Sequence, residues 1–129
     1  MGNQDWRHYL NGLFLSIDDK TITSVATDAH RLALAESVLN EASFESINGI
    51  VPRKSINEIL KLVNDETENV VIKLGMSSIT VDVSGTKFVS KLIEGKFPEY
   101  EQVIPSGESS LLMLEKKIFS ESLSRVSVL

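Results

Sequence analysis

Short apolar runs separated by turn residues dominate the first forty positions of the chain. The segments YLNGLFLSI (9–17), TITSVAT (21–27) and RLALAESVL (31–39) contain alternating or β-branched residues, so each is predicted to be a strand. Ala and Leu in the third segment also suit a helix, but its length and its flanks favour a strand. Between the first two segments lies DDK (18–20), a typical turn sequence.

A fourth strand and one helix are predicted in the middle of the chain. FESINGIV (44–51) is strand-like, and its Asn48-Gly49 pair indicates a bulge or a tight bend. From Arg53 to Val63 apolar residues recur at i, i+3, i+4 and i+7, which is helical spacing. Pro52 suits the first turn of this helix, where its missing N–H costs no hydrogen bond. The predicted apolar face consists of Ile56, Ile59, Leu60 and Val63.

Three more alternating segments follow the helix. They are NVVIKL (69–74), SSITVDV (77–83) and TKFVSKLI (86–93), and each is predicted to be a strand. Gly75 and the pair Ser84-Gly85 mark tight turns between them.

The rest of the chain gives the order of elements and hints at a repeat. EGKFPEYEQVIPSGES (94–109) reads as an extended connector, LLMLE (111–115) as a short strand, and KKIFSESLSRVSVL (116–129) as a helix. The predicted fold class is therefore α+β. The block 44–93 resembles a complete strand-helix-three-strand unit, and the three strands before it resemble the end of a second such unit.

Composition narrows the function classes. The chain has 129 residues, 42% of them hydrophobic and 24% charged, which is ordinary for one globular domain. It contains no cysteine, so disulfides and thiolate chemistry are excluded. No apolar run is long enough for a membrane span, and a cytoplasmic location is expected. The net charge of −5 argues against a protein that coats nucleic acid, unless a local basic patch or the geometry overcomes the mean repulsion.

The sequence ATDAHRLAL (26–34) is the first candidate for chemistry. Asp28 and His30 could form an acid/base pair, which would make the chain a small α+β enzyme. Alternatively, Asp28 forms a turn whose His30 and Arg31 side chains are simply solvated, or these side chains form the rim of a binding site. The sequence has no HExxH, GxSxG or paired-carboxylate signature, and no metal or cofactor is expected.

The predicted helix is the second candidate. Arg53, Lys54, Asn57 and Lys61 share a polar strip at about 100° per residue. Arg53 and Lys54 lie in the first turn, where the helix dipole disfavours cations. A solvated face is the usual explanation for such charges, but a surface that faces phosphate would need the same residues.

The loop KFPEYEQV (96–103) is the third candidate. Pro98 biases Phe97 towards an extended conformation. Together with Tyr100 and Val103 these residues place several large apolar groups in a loop. Such groups either pack beneath the loop or contact a partner.

Four stretches together resemble one family. HYLNG (8–12), VATDAHRLAL (25–34), VPRKSINEILKL (51–62) and SKLIEGKFPEYEQVIP (90–105) are very similar to the middle domain of the bacterial sliding clamp, the beta subunit of DNA polymerase III. The resemblance runs over nearly the whole chain in the correct order and does not depend on a single motif.

This resemblance implies an architecture. Clamp domains contain two strand-helix-three-strand modules, with sheets outside and helices lining a DNA channel, and two three-domain subunits close into a homodimeric ring. Residues 1–105 would be a middle domain without its first strand and helix. Residues 106–129 would be a connector followed by the first strand and helix of the third domain. The chain by itself would then be monomeric.

The resemblance also implies a function and its residues. The expected function is that of a non-catalytic processivity factor of DNA replication, an accessory subunit of a nucleotidyltransferase, which encircles duplex DNA without sequence preference. Its expected partners are polymerase and clamp-loader subunits and repair proteins, bound through Gln-Leu-x-Leu-Phe-like peptides. The matching groove positions are Leu10, Thr27, Ala29, His30, Arg31, Leu32, Pro98 and Val103. The matching DNA-facing positions are Arg53, Lys54, Lys61, Tyr9 and, less closely, His8.

Two positions depart from the family pattern. Ala29 stands where glycine is frequent, which would narrow the groove or change the backbone angles. Gln102 stands where some members carry a basic residue, so a charged contact with the peptide would be lost. A small enzyme and an interaction scaffold unrelated to DNA are the alternative functions at this point.

Overall fold

The computed structural model describes residues 7–40, 45–64, 67, 69–107 and 110–128. It divides the chain into two compact units, Met1–Pro98 and Glu99–Leu129, which we describe separately. The boundary predicted after residue 105 lies inside the second unit. Assignment of residues 1–105 and 106–129 to two clamp domains stays a prediction.

The first unit contains two antiparallel sheets and one helix. The first sheet has four strands in the order β3-β2-β1-β4, and the second has three in the order β5-β6-β7. A short 3-10 helix, His8–Asn11, precedes the first strand. The strands are β1 Gly12–Asp18, β2 Thr21–Thr27, β3 Leu32–Val38, β4 Ile47–Pro52, β5 Val70–Leu74, β6 Ser78–Val83 and β7 Thr86–Lys91, and the helix is α1 Arg53–Leu62. The fold class and all seven strands predicted in this unit are confirmed.

Two details of the predicted strands are wrong. The first strand begins at Gly12 rather than at Tyr9, because residues 8–11 form the 3-10 helix. The predicted bulge at Asn48-Gly49 is absent from β4, where Asn48 and Gly49 pair in unbroken register with β1. The absence of a side chain at Gly49 instead allows Leu92 to pack closely against the backbone of β4. A Cβ at this position would lie 2.7 Å from Cδ1 of Leu92, so a larger residue would have to displace that side chain.

The main core of this unit joins both sheets to α1. Its fully buried members are apolar and come from three strands, and partly buried residues of α1 and the sheets pack around them. The buried members are Leu15, Val51, Ile79, Val81 and Val83. Burying such side chains contributes about 1.5–3 kcal/mol each, which makes this cluster the chief source of stability.

Helix α1 buries part of the predicted apolar face. Ile56, Ile59 and Leu62 pack against the core, whereas Leu60 is 66% exposed. Val63 lies beyond the helix, with extended backbone angles of φ −94° and ψ 129°. At about 100° per residue, Leu60 and Leu62 flank the two isoleucines on opposite sides, so apolar spacing alone does not decide which leucine packs against the core.

A second, smaller apolar cluster covers the opposite face of the first sheet. Phe14 pairs in register with Val25 and with Ile50, so the three side chains share this face. Val25 and Ile50 are fully buried. The ring of Phe97, a residue that follows β7 in the chain, stacks on Phe14. We call this side, which faces away from Leu15, the outer face of the first sheet.

The second unit contains two helical segments in its described part. They are a 3-10 helix, Tyr100–Val103, and the helix α2, Lys116–Val126, which confirms the predicted terminal helix. The strand predicted for residues 111–115 is wrong, because these residues have no regular structure. The described residues of this unit offer no neighbouring strand to pair with, and an unpaired strand leaves its backbone groups without partners. None of the helices in the described residues is long and apolar enough to cross a membrane.

Candidate functional site

The β2–β3 connection is held by the carboxylate of Asp28. Thr27 and Leu32 are the last paired residues of the two strands, and the turn lies between them. Oδ1 of Asp28 accepts hydrogen bonds from the backbone N–H groups of His30 (3.0 Å) and Arg31 (3.1 Å). Oδ2 accepts one from Nε of Arg31 at 3.0 Å. An Asp that satisfies the backbone in this way favours a turn over a continued strand.

Thr27 closes the same turn from its other side. Its hydroxyl donates to the carbonyl oxygen of Arg31 at 2.8 Å and accepts from the N–H of Ala29 at 3.1 Å. Ala29 has a φ of 74°, in the left-handed region where glycine is usual. The turn therefore has one defined shape, and it leaves His30 and Arg31 exposed at the end of the sheet.

The pKa of the Asp28 carboxyl is lowered from its ordinary value. The N–H of His30 is the largest cause, and the hydrogen bonds and the charge of Arg31 lower it further. A carboxylate with a lowered pKa is a weaker base, and its oxygens are already used by the turn. The geometry therefore gives no support to an Asp28–His30 acid/base pair. Within the described ranges, no three His, Asp or Glu side chains come together to hold a metal ion.

Several of the predicted groove residues lie on the outer face of the first sheet. Thr27 is two residues beyond Val25 on β2, so it points to the same face, and Leu32 pairs with Thr27. Both are half-buried. Pro98 is exposed and directly follows the buried Phe97. The structure thus gathers Thr27, Leu32 and Pro98 around the outer cluster.

Two of the predicted groove residues have a different setting. Leu10 is only 2% exposed, so it offers little surface to a ligand. Val103 belongs to the second unit, where it ends the 3-10 helix that also contains Gln102. A place for Val103 in the groove stays a prediction.

The predicted DNA-facing residues of α1 are all exposed. Arg53, Lys54 and Lys61 lie away from Ile59, which packs into the core. The first turn of the helix contains no acidic residue and no side-chain cap. The backbone N–H groups of the first turn, the positive end of the helix dipole and two cations therefore coincide, which favours an anion at this end.

Lys61 differs from the other two cations because it has a partner. Its Nζ lies 2.7 Å from Oε1 of Glu58, one turn earlier on the helix. Tyr9 and His8 lie in the 3-10 helix before β1; Tyr9 is half-buried and His8 is exposed.

The turn at Asp28 is one of the alternatives that the sequence leaves open, and the structure selects it over the acid/base pair. Sequence reasoning missed two other contributors to these surfaces. The ion pair of Glu58 and Lys61 follows from their spacing of three residues. The stacking of Phe97 on Phe14 depends on a contact between distant segments, and no local pattern indicates it.

Comparison with known proteins places these surfaces in context. The model of the family described as the DNA polymerase III beta subunit, central domain, matches residues 1–99. The beta sliding clamps of Vibrio cholerae serotype O1 and Pseudomonas aeruginosa are both 40% identical over 129 residues, which is all of this chain and 35% of each relative. The chain therefore spans about a third of the length of the curated relatives it matches.

Solved structures give the same result for the fold. The crystal structure of the DNA polymerase III subunit beta from Pseudomonas aeruginosa matches with a TM-score of 0.86 and 40% identity, over 100% of this chain and 36% of that one. The sliding clamp of Bacillus subtilis matches with a TM-score of 0.87 and 27% identity, over 98% and 33%. A Pseudomonas aeruginosa clamp that matches with a TM-score of 0.85 and 40% identity, over 100% and 35%, is bound to griselimycin.

Proposed function

This chain belongs to the DNA polymerase III beta subunit family, and we propose that it forms the central part of a sliding clamp, the processivity factor of DNA replication. The complete protein encircles duplex DNA as a homodimeric ring and docks polymerase, clamp-loader and repair proteins. It acts in the cytoplasm as a non-catalytic accessory subunit and needs no cofactor. The 129-residue chain alone is monomeric and does not close a ring.

One observation carries the DNA part of this proposal. Arg53, Lys54 and Lys61 are exposed on the polar side of a helix whose other side closes the main core. A ring that surrounds DNA needs no net attraction, so a formal charge of −5 is compatible with a basic inner wall. Such cations contact phosphate, which gives binding that depends on salt and not on sequence.

The peptide part rests on the outer face of the first sheet. Leu32 and Pro98 supply apolar surface there, and Thr27, His30 and Arg31 supply a polar rim at the adjacent turn. A peptide of the Gln-Leu-x-Leu-Phe kind would place its Leu and Phe on the apolar surface, with about 1.5–3 kcal/mol for each side chain. Ordering of the peptide offsets much of this gain, so the expected Kd is on the order of micromolar.

Reversal of two charges tests the DNA wall. In the full-length protein, Arg53→Glu with Lys54→Glu should weaken retention on circular duplex DNA. The helix itself should remain folded, since acidic residues near its N-terminus suit the dipole. Lys73→Glu with Lys87→Glu is the matched control, because these exposed lysines lie on the face of the second sheet that points away from the core. Equal retention by both double variants would refute the proposed DNA wall.

Single substitutions test the peptide groove. Arg31→Ala and Leu32→Ala should each weaken binding of a Gln-Leu-Ser-Leu-Phe peptide to the full-length protein, measured by calorimetry. Arg31→Ala removes a long apolar stem as well as a charge. Lys87→Ala, on the second sheet, is the control and should leave the affinity unchanged. Identical affinities in all four proteins would mean that the peptide binds elsewhere.

A further inference from the structure

Among residues 94–98, only Phe97 is buried in the first unit. It is 6% exposed, between the exposed residues Lys96 and Pro98. Its centroid lies 4.9 Å from that of Phe14, and the two ring planes differ by 21°. Stacked rings at this distance attract each other beyond the gain from burial alone.

The position of Phe14 in the sheet connects this contact to the proposed groove. Phe14 lies beside Val25 on β2, and Thr27 is the next residue of β2 on the same face. Leu32, the first residue of β3, pairs with Thr27. The Cα atoms of successive residues are about 3.8 Å apart, so Pro98 must stay at this face while Phe97 remains seated.

A second contact fixes the other end of the segment. Ile93 forms an isolated bridge with Ile50, and its N–H donates to the carbonyl oxygen of Ile50 at 2.8 Å. Ile50 is itself the register partner of Phe14. The residues from Ile93 to Phe97 thus cross from β4 to β1 between two anchors. Of these two anchors, Phe97 is the nearer to Pro98, because it directly precedes it in the chain.

We propose that Phe14 and Phe97 are a positioning pair, which holds Pro98 at the outer face of the first sheet and thereby sets one side of the peptide groove. This inference rests on the proposed peptide-binding function. Neither ring needs to touch the peptide. Phe97 acts through the backbone of Pro98, and Phe14 acts by providing the surface on which Phe97 is seated.

The experiment replaces each ring by a side chain that stays apolar. Phe97→Leu and Phe14→Leu are made in the full-length protein, singly and together, and titrated with the Gln-Leu-Ser-Leu-Phe peptide. Each single variant should bind about two- to tenfold more weakly, the range that corresponds to a lost aromatic pair. The double variant should lose less than the product of the two single losses, because both changes remove the same contact.

A local probe separates positioning from general loss of stability. Trypsin cleaves after lysine, and Lys96 directly precedes Phe97. Each protein is digested at the same number of degrees below its own Tm, and cleavage of the Lys96–Phe97 bond is followed by mass spectrometry. This cleavage should be faster in Phe97→Leu than in the wild type. Phe88→Leu is the matched control: Phe88 lies on β7 opposite Val81, is half-buried and belongs to the other sheet. It should leave both the peptide affinity and this cleavage unchanged.

The outcomes also separate this inference from the proposed function. If the wild type binds the peptide and Arg31→Ala weakens binding, while Phe97→Leu and Phe14→Leu bind as well as the wild type, the positioning role is refuted and the groove stands. If Phe88→Leu weakens binding as much as Phe97→Leu, the effect is a general one and the positioning role is also refuted. If the wild type itself does not bind, the proposed groove fails first.

Discussion

Gly12 is the position where the structure makes the sharpest prediction about stability. It opens β1 beside the outer cluster, and its φ of −136° is available to any residue. Space is the constraint. A Cβ at this position would lie 2.6 Å from Cγ2 of Ile50, 2.7 Å from the backbone oxygen of Val51 and 3.1 Å from Cδ1 of Ile93. The first two distances are shorter than real Cβ contacts, and the second involves backbone that cannot rotate away.

The expected cost of Gly12→Ala follows from two opposing terms. Overpacking of a well-packed site costs about 1–3 kcal/mol. Alanine also lowers the conformational entropy of the unfolded chain relative to glycine, which raises the free energy of unfolding by about 0.4–1 kcal/mol. The net loss of unfolding free energy should therefore be about 0–2.6 kcal/mol, and about 1.3 kcal/mol from the midpoints of the two ranges. Urea denaturation of the 129-residue chain, followed by far-ultraviolet circular dichroism, measures it from the shift in midpoint at constant slope.

Two other glycines of the first unit provide the controls. A Cβ on Gly75 would make only an ordinary contact of 3.4 Å with the backbone oxygen of Ser78, so Gly75→Ala should change stability by less than about 0.5 kcal/mol. Gly85 has open space but a φ of 82°, so Gly85→Ala isolates the backbone cost of about 1 kcal/mol. If Gly12→Ala were as stable as Gly75→Ala, the close approach of β4 to β1 that we describe would be wrong.

Three further predictions concern side-chain contacts. Because the pKa of Asp28 is lowered in the folded state, its carboxylate stabilises the fold at pH values above the ordinary carboxyl pKa of about 3.9. This contribution is lost as the pH falls through the lowered pKa of the folded state. The Tm of the wild type should therefore exceed that of Asp28→Asn by less at pH 3 than at pH 7. The hydroxyls of Ser55 and Ser90 are 2.6 Å apart between α1 and β7, so alanine at either should cost about 1 kcal/mol in urea denaturation, and the double variant less than the sum. Glu58→Gln should strengthen DNA retention by the full-length protein at low salt by freeing Lys61, and a similar gain in a Lys61→Gln background would contradict this.

The local pattern of the chain predicts most of the fold. Strands β2, β5, β6 and β7 were found because alternation and turn residues are local signals. Leu60 is predicted to be in the core, but Leu62 packs there instead. Both leucines flank Ile56 and Ile59, so helical spacing fits either one. The strand at 111–115 was predicted from apolar content alone, but a strand forms only where a second strand pairs with it.

Only part of the candidate site can be predicted from local sequence. The resemblance to the clamp family predicts its residues, and the local sequence predicts the turn around Asp28. The burial of Leu10 and the stacking of Phe97 on Phe14 depend on tertiary packing, which no local sequence pattern indicates. Gly49 shows how a local pattern can predict the wrong role for a residue. Its sequence indicated a bend, while its structural role is to make room for Leu92, a residue more than forty positions away.

The junction of β4 and α1 has a mechanical consequence. The strand ends at Pro52 and the helix begins at Arg53, with no residue between them to act as a hinge. Ile50, under the proposed peptide surface, and Arg53, on the proposed DNA surface, are therefore separated by two residues of continuous, hydrogen-bonded backbone. If a partner docks on the proposed peptide surface, its pull would reach the proposed DNA-facing helix through this short backbone connection, without an intervening loop.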